Sequence, residues 1–377
     1  MPDATLFAGI PAANPNLFRR LGIGPGDPAG WLKIDARTIG IVRDIESERA
    51  QGAGRCDQIT SPGNHPPAGG LSSDRETATA QAIAQLLVSE DVKMVVVDRS
   101  LPFIYAHHLM QREIQVRYDE DLGVVDRRSK TQEEIQWLRQ AQEMTESGMR
   151  MICEKIAAAD IDDSGQLRDA DGPLTSEGLR ALAAAYFIDR GYSCGHGAIV
   201  ATAPHAGDCH HSGTGTLRTG VPVIVDLFPR NEATRYWGDC TRTVVHGKPS
   251  ETVTRMHASI VAAKRAACDV LHTGNTADAV HAEVIRVHTE NGFPQSRGTV
   301  TDHPSVQHGT GHGIGLELHE PILLDENGPE VLRGEVFTVE PGLYGKNDGG
   351  VRVEDMLVVH DDHAENLNQL HEGLDWN

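Results

Sequence analysis

Residues His308-Gly309-Thr310-Gly311-His312-Gly313-Ile314-Gly315 place two histidines among four glycines in the second part of the chain. Glycine lets a backbone approach its neighbours closely, and histidine is a common metal ligand and proton-transfer group. A phosphate-binding loop is not indicated, because the stretch lacks the lysine of a P-loop and the strand-then-helix context of a dinucleotide site. The glycines therefore favour a closely packed site around His312.

Four carboxylates lie at or near the ends of β-rich runs on either side of this stretch. Upstream, Asp226 ends a valine-rich run, and Asp239 follows 13 residues later. Downstream, Glu340 and Glu354 are 14 residues apart. Each pair flanks a predicted hairpin, which brings its two carboxylates within reach of each other across a ladder. Buried carboxylates are costly unless a cation neutralises them, so four that converge predict a divalent metal site.

The order of the predicted elements indicates a duplicated unit around these carboxylates. From about Lys130 the sequence predicts helix, helix and strands, and the same order then repeats up to His360. We place a domain boundary in the charged, turn-prone run Arg127–Thr131, which gives domains of residues 1–130 and 131–377. The fold class predicted for the second domain is α+β.

The first domain is predicted to be a smaller α/β unit. Short β-rich runs occur at Trp31–Asp35 and Thr38–Arg43, a helix is predicted over Asp74–Ser89, and a valine run predicts a buried strand at Lys93–Asp98. Glycine, proline and serine crowd Gly52–Ser73, which predicts a long surface loop. No convergent catalytic groups are apparent in this domain, so a role in packing or dimerisation is expected.

Composition and charge exclude several classes of function. The chain has 34 Lys+Arg against 54 Asp+Glu, a formal net charge of −20, which argues against a nucleic-acid groove or a polybasic membrane surface. No apolar run approaches the roughly 20 residues that a membrane-spanning helix needs. The six cysteines are scattered without a CxxC pair, so we expect a reduced, cytoplasmic protein with neither nucleic-acid nor membrane partners.

The carboxylate and histidine segments resemble the pita-bread metallopeptidase family, which includes Xaa-Pro aminopeptidases, prolidases, methionine aminopeptidases and creatinase. The resemblance spans about Lys130 to His360. It implies the pita-bread (creatinase/aminopeptidase) fold, with two α+β halves related by a pseudo-two-fold axis. It also implies two divalent metal ions that are bridged by Asp239 and Glu354. The five implied ligands, filled in order, are Asp226, Asp239, His312, Glu340 and Glu354.

Four carboxylates and one imidazole form a hard, oxygen-rich ligand set. Such a set favours Mn²⁺, with Co²⁺, Zn²⁺ or Fe²⁺ as alternatives. Two ions that share a water lower its pKa, hold it as a bridging hydroxide and polarise the scissile carbonyl. The resemblance implies that Glu340 accepts a proton from that water. Cys240 follows Asp239 directly, but alternation along a strand points it to the other face, where packing is the expected role.

The resemblance also assigns residues to a peptide substrate. It implies that His210 contacts the substrate and assists the leaving amine, although the adjacent His211 leaves this alignment open by one residue. It implies that His319 steadies the tetrahedral intermediate and that His308 lines the pocket for a substrate proline. Arg352 either contacts the substrate or forms a structural salt bridge with a site carboxylate, and both alternatives stay open.

The domain arrangement favours one branch of the family. Methionine aminopeptidases are mostly the catalytic domain alone, whereas Xaa-Pro peptidases resemble this chain in having an additional N-terminal domain, which implies a homodimer. Creatinase works without the metal set, so five retained ligands argue against it. A dipeptidase must hold the free carboxylate of the C-terminal proline, normally with an arginine, and some prolidases carry one a few residues after the His319 position. Here Glu320–Leu324 contains no arginine, although Arg333 or Arg352 could serve instead.

We therefore predict an Xaa-Pro aminopeptidase that acts on peptides with proline at the second position. The main alternative is a prolidase, which is an Xaa-Pro dipeptidase. Alternatives of another class are a lyase and a non-catalytic binding relative on the same fold.

Overall fold

A computed structural model describes residues 4–195 and 197–377 of the chain. Its internal contacts divide the chain into two units, Met1–Asp126 and Arg127–Asn377. The division falls beside the run Arg127–Thr131 in which the sequence placed the domain boundary. No helix within the described ranges combines the length and the apolar composition needed to cross a bilayer.

The first unit is built from short strands and helices around one sheet. Its strands are β1 (Ala4–Gly9), β2 (Ala29–Ile34), β3 (Arg37–Ile41), β4 (Gln58–Thr60), β5 (Met94–Val97) and β6 (Gln115–Tyr118). Its helices are α1 (Pro15–Leu21), α2 (Ser47–Ala53), α3 (Arg75–Ser89) and α4 (Phe103–Met110), with 3₁₀ turns at Asp44–Glu46 and Pro62–Asn64, and α5 (Val125–Arg128) lies where the units divide.

The six strands form one mixed sheet in the order β4-β3-β2-β1-β5-β6. Strands β1, β2 and β3 are antiparallel neighbours, whereas β5 runs parallel to β1 and β6. Helix α3 begins after Asp74, whose side chain accepts a hydrogen bond from the Thr77 N–H. Ile83 and Leu87 of this helix are fully buried in a cluster with Leu6. The predicted α/β unit is therefore observed.

The prediction of one long loop over Gly52–Ser73 is wrong in part. Helix α2 continues to Ala53, and Gln58–Thr60 forms strand β4, which pairs in parallel with β3. Three residues are too few to show the alternation by which a strand is recognised, and the partner strand lies some 19 residues earlier.

The second unit contains the remaining elements. Its helices are α6 (Gln132–Ala157), α7 (Ser176–Ile188), α8 (Glu251–Val270) and α9 (Ala277–Glu290), with a 3₁₀ turn at His205–Gly207. Its strands are β7 (Asp160–Ile161), β8 (Leu167–Asp169), β9 (Gly172–Pro173), β10 (Tyr192–Ser193), β11 (Ala198–Thr202), β12 (Pro222–Leu227), β13 (Arg230–Asn231), β14 (Cys240–Val245), β15 (Gly311–Gly313), β16 (Glu320–Leu324), β17 (Val336–Val339), β18 (Gly342–Gly345), β19 (Gly349–Arg352), β20 (Asp355–Val359) and β21 (Ala364–Asn366).

The second unit repeats one pattern, as the sequence predicted. Helices α6 and α7 precede a sheet of order β11-β12-β14, and helices α8 and α9 precede a sheet of order β16-β15-β17-β20-β21. Each half has its own buried apolar cluster, centred on residues such as Ile152 and Val225 in the first and Val284 and Phe337 in the second. Strands β12 and β17, which lead to the first carboxylate of each pair, are buried throughout.

Candidate metal centre

Equivalent antiparallel strand pairs in the two halves carry the two carboxylate pairs. Asp226 lies in β12 and Asp239 immediately precedes β14, its antiparallel partner. Glu340 immediately follows β17 and Glu354 immediately precedes β20, again an antiparallel partner. Each pair therefore meets across a ladder, which explains why the two spacings along the chain are nearly equal.

The glycine-rich stretch brings His312 against these strands. A Cβ atom at Gly311 would lie 1.9 Å from the carbonyl oxygen of Thr338 in β17, so only glycine permits this approach. The His312 N–H donates to Thr338 Oγ1 at 3.1 Å, and Nδ1 lies 3.1 Å from the Gly313 carbonyl oxygen. Donation from Nδ1 to that carbonyl leaves Nε2 as the free ligand atom.

Four of the five predicted ligands converge around that nitrogen. Ligand atoms of Asp239, His312 and Glu354 all lie within 4.8 Å of one another, and all three residues are buried. His312 Nε2 is 3.6 Å from Asp239 Oδ2 and 3.6 Å from Glu340 Oε1. Glu340 therefore lies beside the same imidazole as Asp239 and Glu354.

Arg352, for which the sequence left two roles open, connects Asp226 to these residues. Arg352 donates from Nη2 to Asp226 Oδ2 at 2.6 Å, and its Nε lies 3.9 Å from Glu340 Oε2. The other Asp226 oxygen, Oδ1, is buried and has no hydrogen-bond partner within residues 4–195 and 197–377. An unsatisfied buried carboxylate oxygen is costly and is the kind of atom that a bound cation satisfies.

Burial shifts the pKa values of all four carboxylates upwards, and repulsion between carboxylates adds to the shift at Asp239, Glu340 and Glu354. Burial is the largest cause at each, and it raises the pKa of Glu340 to about 7. The pKa values of Asp239 and Glu354 lie well above their ordinary values, since each also faces the charges of Glu340 and Asp226. For Asp226, Arg352 opposes the effect of burial on the pKa.

These observations fit a divalent metal site. Burial lowers the pKa of His312 to about 3, which keeps its imidazole in the neutral form that binds metals. The donor set is four carboxylates and one imidazole, and the excess of buried negative charge is incompletely matched by Arg352. Such a set suits hard or borderline divalent cations rather than thiolate-seeking ones.

A hydroxyl network supports the carboxylates, and the sequence analysis missed its two hydroxyl residues, Thr241 and Tyr344. Thr241 Oγ1 donates to Glu354 Oε2 at 2.8 Å. Arg352 donates from Nη1 to Tyr344 Oη at 3.0 Å, and that hydroxyl lies 2.6 Å from His308 Nε2. Threonine and tyrosine within strands usually serve packing, so their type and position along the chain carried no signal of this role.

The histidines predicted to meet substrate lie around the carboxylates at different depths. The His319 ring is exposed and sits edge-on to His312, with centroids 4.2 Å apart. His210 is exposed, and its interaction with Asp226 offsets a small part of the rise that burial causes in the pKa of that carboxyl. His211, by contrast, accepts a hydrogen bond from the Gly213 N–H and stacks on His205. This geometry favours His210 over His211 as the histidine that faces the site.

Comparison with known proteins gives a consistent result. The sequence model of metallopeptidase family M24 matches residues 136–361. The Probable dipeptidase PepE of Mycobacterium tuberculosis is 34% identical over 172 residues, which are 45% of this chain and 43% of that protein. The match thus spans less than half the length of this curated relative.

Two solved structures share the fold over nearly the whole chain. The Xaa-Pro dipeptidase from Bacillus anthracis superposes with a TM-score of 0.80 at 21% identity, covering 99% of this chain and 94% of that one. The X-Pro aminopeptidase from Thermotoga maritima gives a TM-score of 0.79 at 20% identity, covering 99% and 97%.

Proposed function

The chain belongs to metallopeptidase family M24 and has the pita-bread fold, and from this premise we propose that it is a metal-dependent Xaa-Pro aminopeptidase. It would remove the first residue of peptides that carry proline at the second position. The observation that carries the proposal is the convergence of Asp239, His312 and Glu354 within 4.8 Å, with Glu340 and Asp226 alongside.

We assign the metal to these five residues. They would hold two divalent ions, with Asp239 and Glu354 bridging and Mn²⁺ the favoured metal. When bound, such a pair of ions activates a water molecule and polarises the scissile carbonyl.

The residues around the ions have distinct proposed roles in this reaction. Glu340 has the most exposed side chain of the four carboxylates, 17% against 10% for Asp226, and we propose that it accepts the proton from water. His319 and His210 are exposed and therefore accessible to a peptide. We propose that His319 stabilises the developing oxyanion and that His210 assists the leaving amine. Burial and Arg352 lower the pKa of His308 to about 3, which suits a neutral wall of a proline pocket.

Arg352 fits the structural alternative better than substrate binding. The residue is only 3% exposed, and its guanidinium donates to Asp226, Thr241 and Tyr344. We therefore assign it to holding Asp226, because a peptide would have to displace these buried hydrogen bonds to reach it.

A dipeptidase is the second candidate, since the Mycobacterium tuberculosis relative and the Bacillus anthracis structure both carry that name. It needs a cation for the free carboxylate of the substrate proline. Arg333, which the sequence left available, is 70% exposed and paired with Asp361 at 2.9 Å. This surface pairing does not favour a role in the site, and it supports the aminopeptidase over the dipeptidase.

The test compares two substrates. Metal-stripped protein with Mn²⁺ added back is assayed on Ala-Pro and on Arg-Pro-Pro, with Asp239→Ala as the inactive control. Release of arginine from the tripeptide, with little cleavage of the dipeptide, supports the aminopeptidase; the reverse preference makes the protein a dipeptidase. No cleavage of either substrate by protein that binds metal contradicts the proposal and leaves the lyase and the binding relative.

We also propose a cytoplasmic homodimer in which the first unit makes the contact between subunits. All six cysteines are free, which suits a reducing compartment. Light scattering on the purified protein checks the dimer: a mass of twice 40.8 kDa supports it, and a mass of 40.8 kDa contradicts it.

A further inference from the structure

The main chain of Asp239 lies just outside the β14 ladder and is held by one side chain. Gln142 of α6 is fully buried. Its Oε1 accepts from the Asp239 N–H at 2.9 Å, and its Nε2 donates to the Asp239 carbonyl oxygen at 2.7 Å. Both backbone groups of a proposed bridging ligand are therefore satisfied by a single amide.

The orientation of this amide is fixed by a residue far along the chain. Gln142 Nε2 also donates to Asn368 Oδ1 at 3.0 Å, and the same oxygen accepts from the Met356 N–H at 2.8 Å. A flipped Gln142 amide would set its NH₂ against the Asp239 N–H and its oxygen against two acceptors. Asn368 thus selects the one orientation in which Gln142 grips both sides of Asp239.

The packing beside Asp239 leaves little room for the chain to move. A Cβ atom at Gly238 would lie 2.1 Å from Thr145 Oγ1 and 2.5 Å from the Ala141 carbonyl oxygen, both on α6. The chain therefore runs directly against the helix that carries Gln142. A displaced or reoriented Gln142 amide would shift the Asp239 main chain, since the chain is already closely packed against α6.

The segment that contains Asn368, Leu367–Asn377, also reaches the second proposed bridging ligand. Arg242 donates to the carbonyl oxygens of Leu370 and His371, at 3.1 and 2.9 Å, and to the Glu354 carbonyl oxygen at 2.6 Å. The backbones of both bridging ligands are thus connected to this segment, each through one buried side chain.

From this arrangement we propose that Gln142 is a positioning residue of the metal centre and that Asn368 sets the orientation of its amide. The inference rests on the proposed function only in taking Asp239 as a metal ligand. Mutation of a residue that orients a metal ligand without binding the metal typically lowers metal affinity or activity about 10–100-fold.

The experiment measures the Kd for Mn²⁺ by calorimetric titration of metal-stripped protein, together with the Tm of the metal-free form. Gln142→Met keeps the approximate volume and removes both hydrogen bonds to Asp239. We expect its Kd to rise about 10-fold or more. Ser259→Ala is the matched control, because it removes a buried hydrogen bond to His288 between α8 and α9. A lower Tm in both variants with an unchanged Kd in both would overturn the proposal.

A second pair of variants tests the orienting residue without emptying a buried position. Asn368→Leu removes the acceptor for Gln142 Nε2, whereas Asn368→Asp retains it. We expect a weaker Kd for Asn368→Leu and a near-normal Kd for Asn368→Asp. Equal Kd values in the two variants would contradict the role of Asn368, and this pair decides the inference alone if Gln142→Met does not fold.

The titration also separates this inference from the proposed function. Metal binding without cleavage of Xaa-Pro peptides would contradict the proposed reaction, yet the comparison of Kd values would still decide the role of Gln142. Unaltered protein that binds no divalent metal would contradict both.

Discussion

Glu354 and Asp355 are neighbours in the chain, yet they face two buried clusters of opposite character. Glu354 lies among carboxylates, and burial together with the charges of Glu340 and Asp226 holds its pKa well above the ordinary value. Asp355 lies between cations: Arg242 donates to it at 2.8 Å and Lys264 forms a second ion pair. These partners overcome the effect of burial and lower the pKa of Asp355 to about 2.

The same division occurs at the start of β14, in another sheet of this unit. Asp239 belongs to the carboxylate cluster, while Cys240 points to the other side, where Arg242 donates to its sulfur at 3.5 Å. Alternation along β14 and β20 therefore separates a carboxylate cluster that Arg352 neutralises only in part from a cluster in which Arg242 and Lys264 neutralise Asp355. The first should serve metal binding at a cost to stability, and the second should serve stability alone.

The most direct test removes one carboxylate charge from each of the two clusters by a carboxylate-to-amide substitution. Glu354→Gln takes a ligand from the metal site, and loss of several kcal/mol of transition-state stabilisation predicts a fall in kcat/KM of roughly 10³-fold. In EDTA the variant should be at least as stable as the unaltered protein, because a repelled carboxylate has been removed. Peptidase assays and chemical unfolding check both expectations. A variant that is destabilised in EDTA would contradict the view that this cluster opposes folding.

Asp355→Asn, one residue further, should show the reverse profile. It leaves Arg242 buried without its carboxylate partner and Lys264 with Glu372 alone, and an uncompensated buried charge typically costs about 3–5 kcal/mol. We expect the free energy of unfolding to fall by that amount, measured by denaturant titration in EDTA, while the Mn²⁺ affinity of the folded protein changes far less than in Glu354→Gln. Equal stabilities for the two variants would mean that the clusters do not differ as described.

The pH dependence of stability without metal should distinguish the clusters further. The folded pKa of Glu340, about 7, lies above its ordinary value near 4.5, so its stabilising contribution is complete below about pH 4.5 and is lost as the pH rises through 7. Asp355 contributes in the opposite sense: its stabilisation is present above its ordinary pKa and is lost as the pH falls through about 2. Between pH 5 and 7 the contribution of Glu340 should change, whereas that of Asp355 should stay constant.

The measurement is the difference in unfolding free energy between Glu340→Gln and the unaltered protein, both in EDTA. Buried histidines such as His308 and His312, with lowered pKa values, stabilise with rising pH in both proteins, so their effect cancels in the difference. We expect the difference to move in favour of Glu340→Gln from pH 5 to pH 7. Added Mn²⁺ should reverse the trend for the unaltered protein, because ligands bind the metal deprotonated. A difference that stays constant with pH would contradict this account.

The comparison also shows what the sequence could predict. Long helices with regular apolar spacing, such as α6, and valine-rich strands, such as the one that contains Asp226, were predicted in type and order, because periodicity and burial determine them locally. The carboxylates and His312 stood out because buried strands rarely end in acids without a cation. The short strand Gln58–Thr60 was missed, because only its pairing with β3 defines it.

The supporting residues escaped prediction for a related reason. Asp355 is as acidic as Glu354, and nothing local indicated that Arg242 and Lys264, more than 90 residues earlier, would neutralise it. Gln142 offered one weak signal, since it is a polar residue four positions after Leu138 on the buried side of α6. Its partners come from two distant segments, so its role became apparent only from the folded structure.

The smallest effect is expected at Cys240, which sits between the two clusters. Its sulfur contacts the Glu354 carbonyl oxygen at 3.7 Å and is fully buried, and burial raises the pKa of the thiol well above its ordinary value. A neutral buried thiol packs and does not attack substrates. Cys240→Ala should therefore retain metal affinity and kcat within about 3-fold, while the small cavity lowers the free energy of unfolding by about 1 kcal/mol. A loss of kcat with metal affinity intact would place the thiol in the reaction, and alternation along β14 would then no longer separate chemistry from stability.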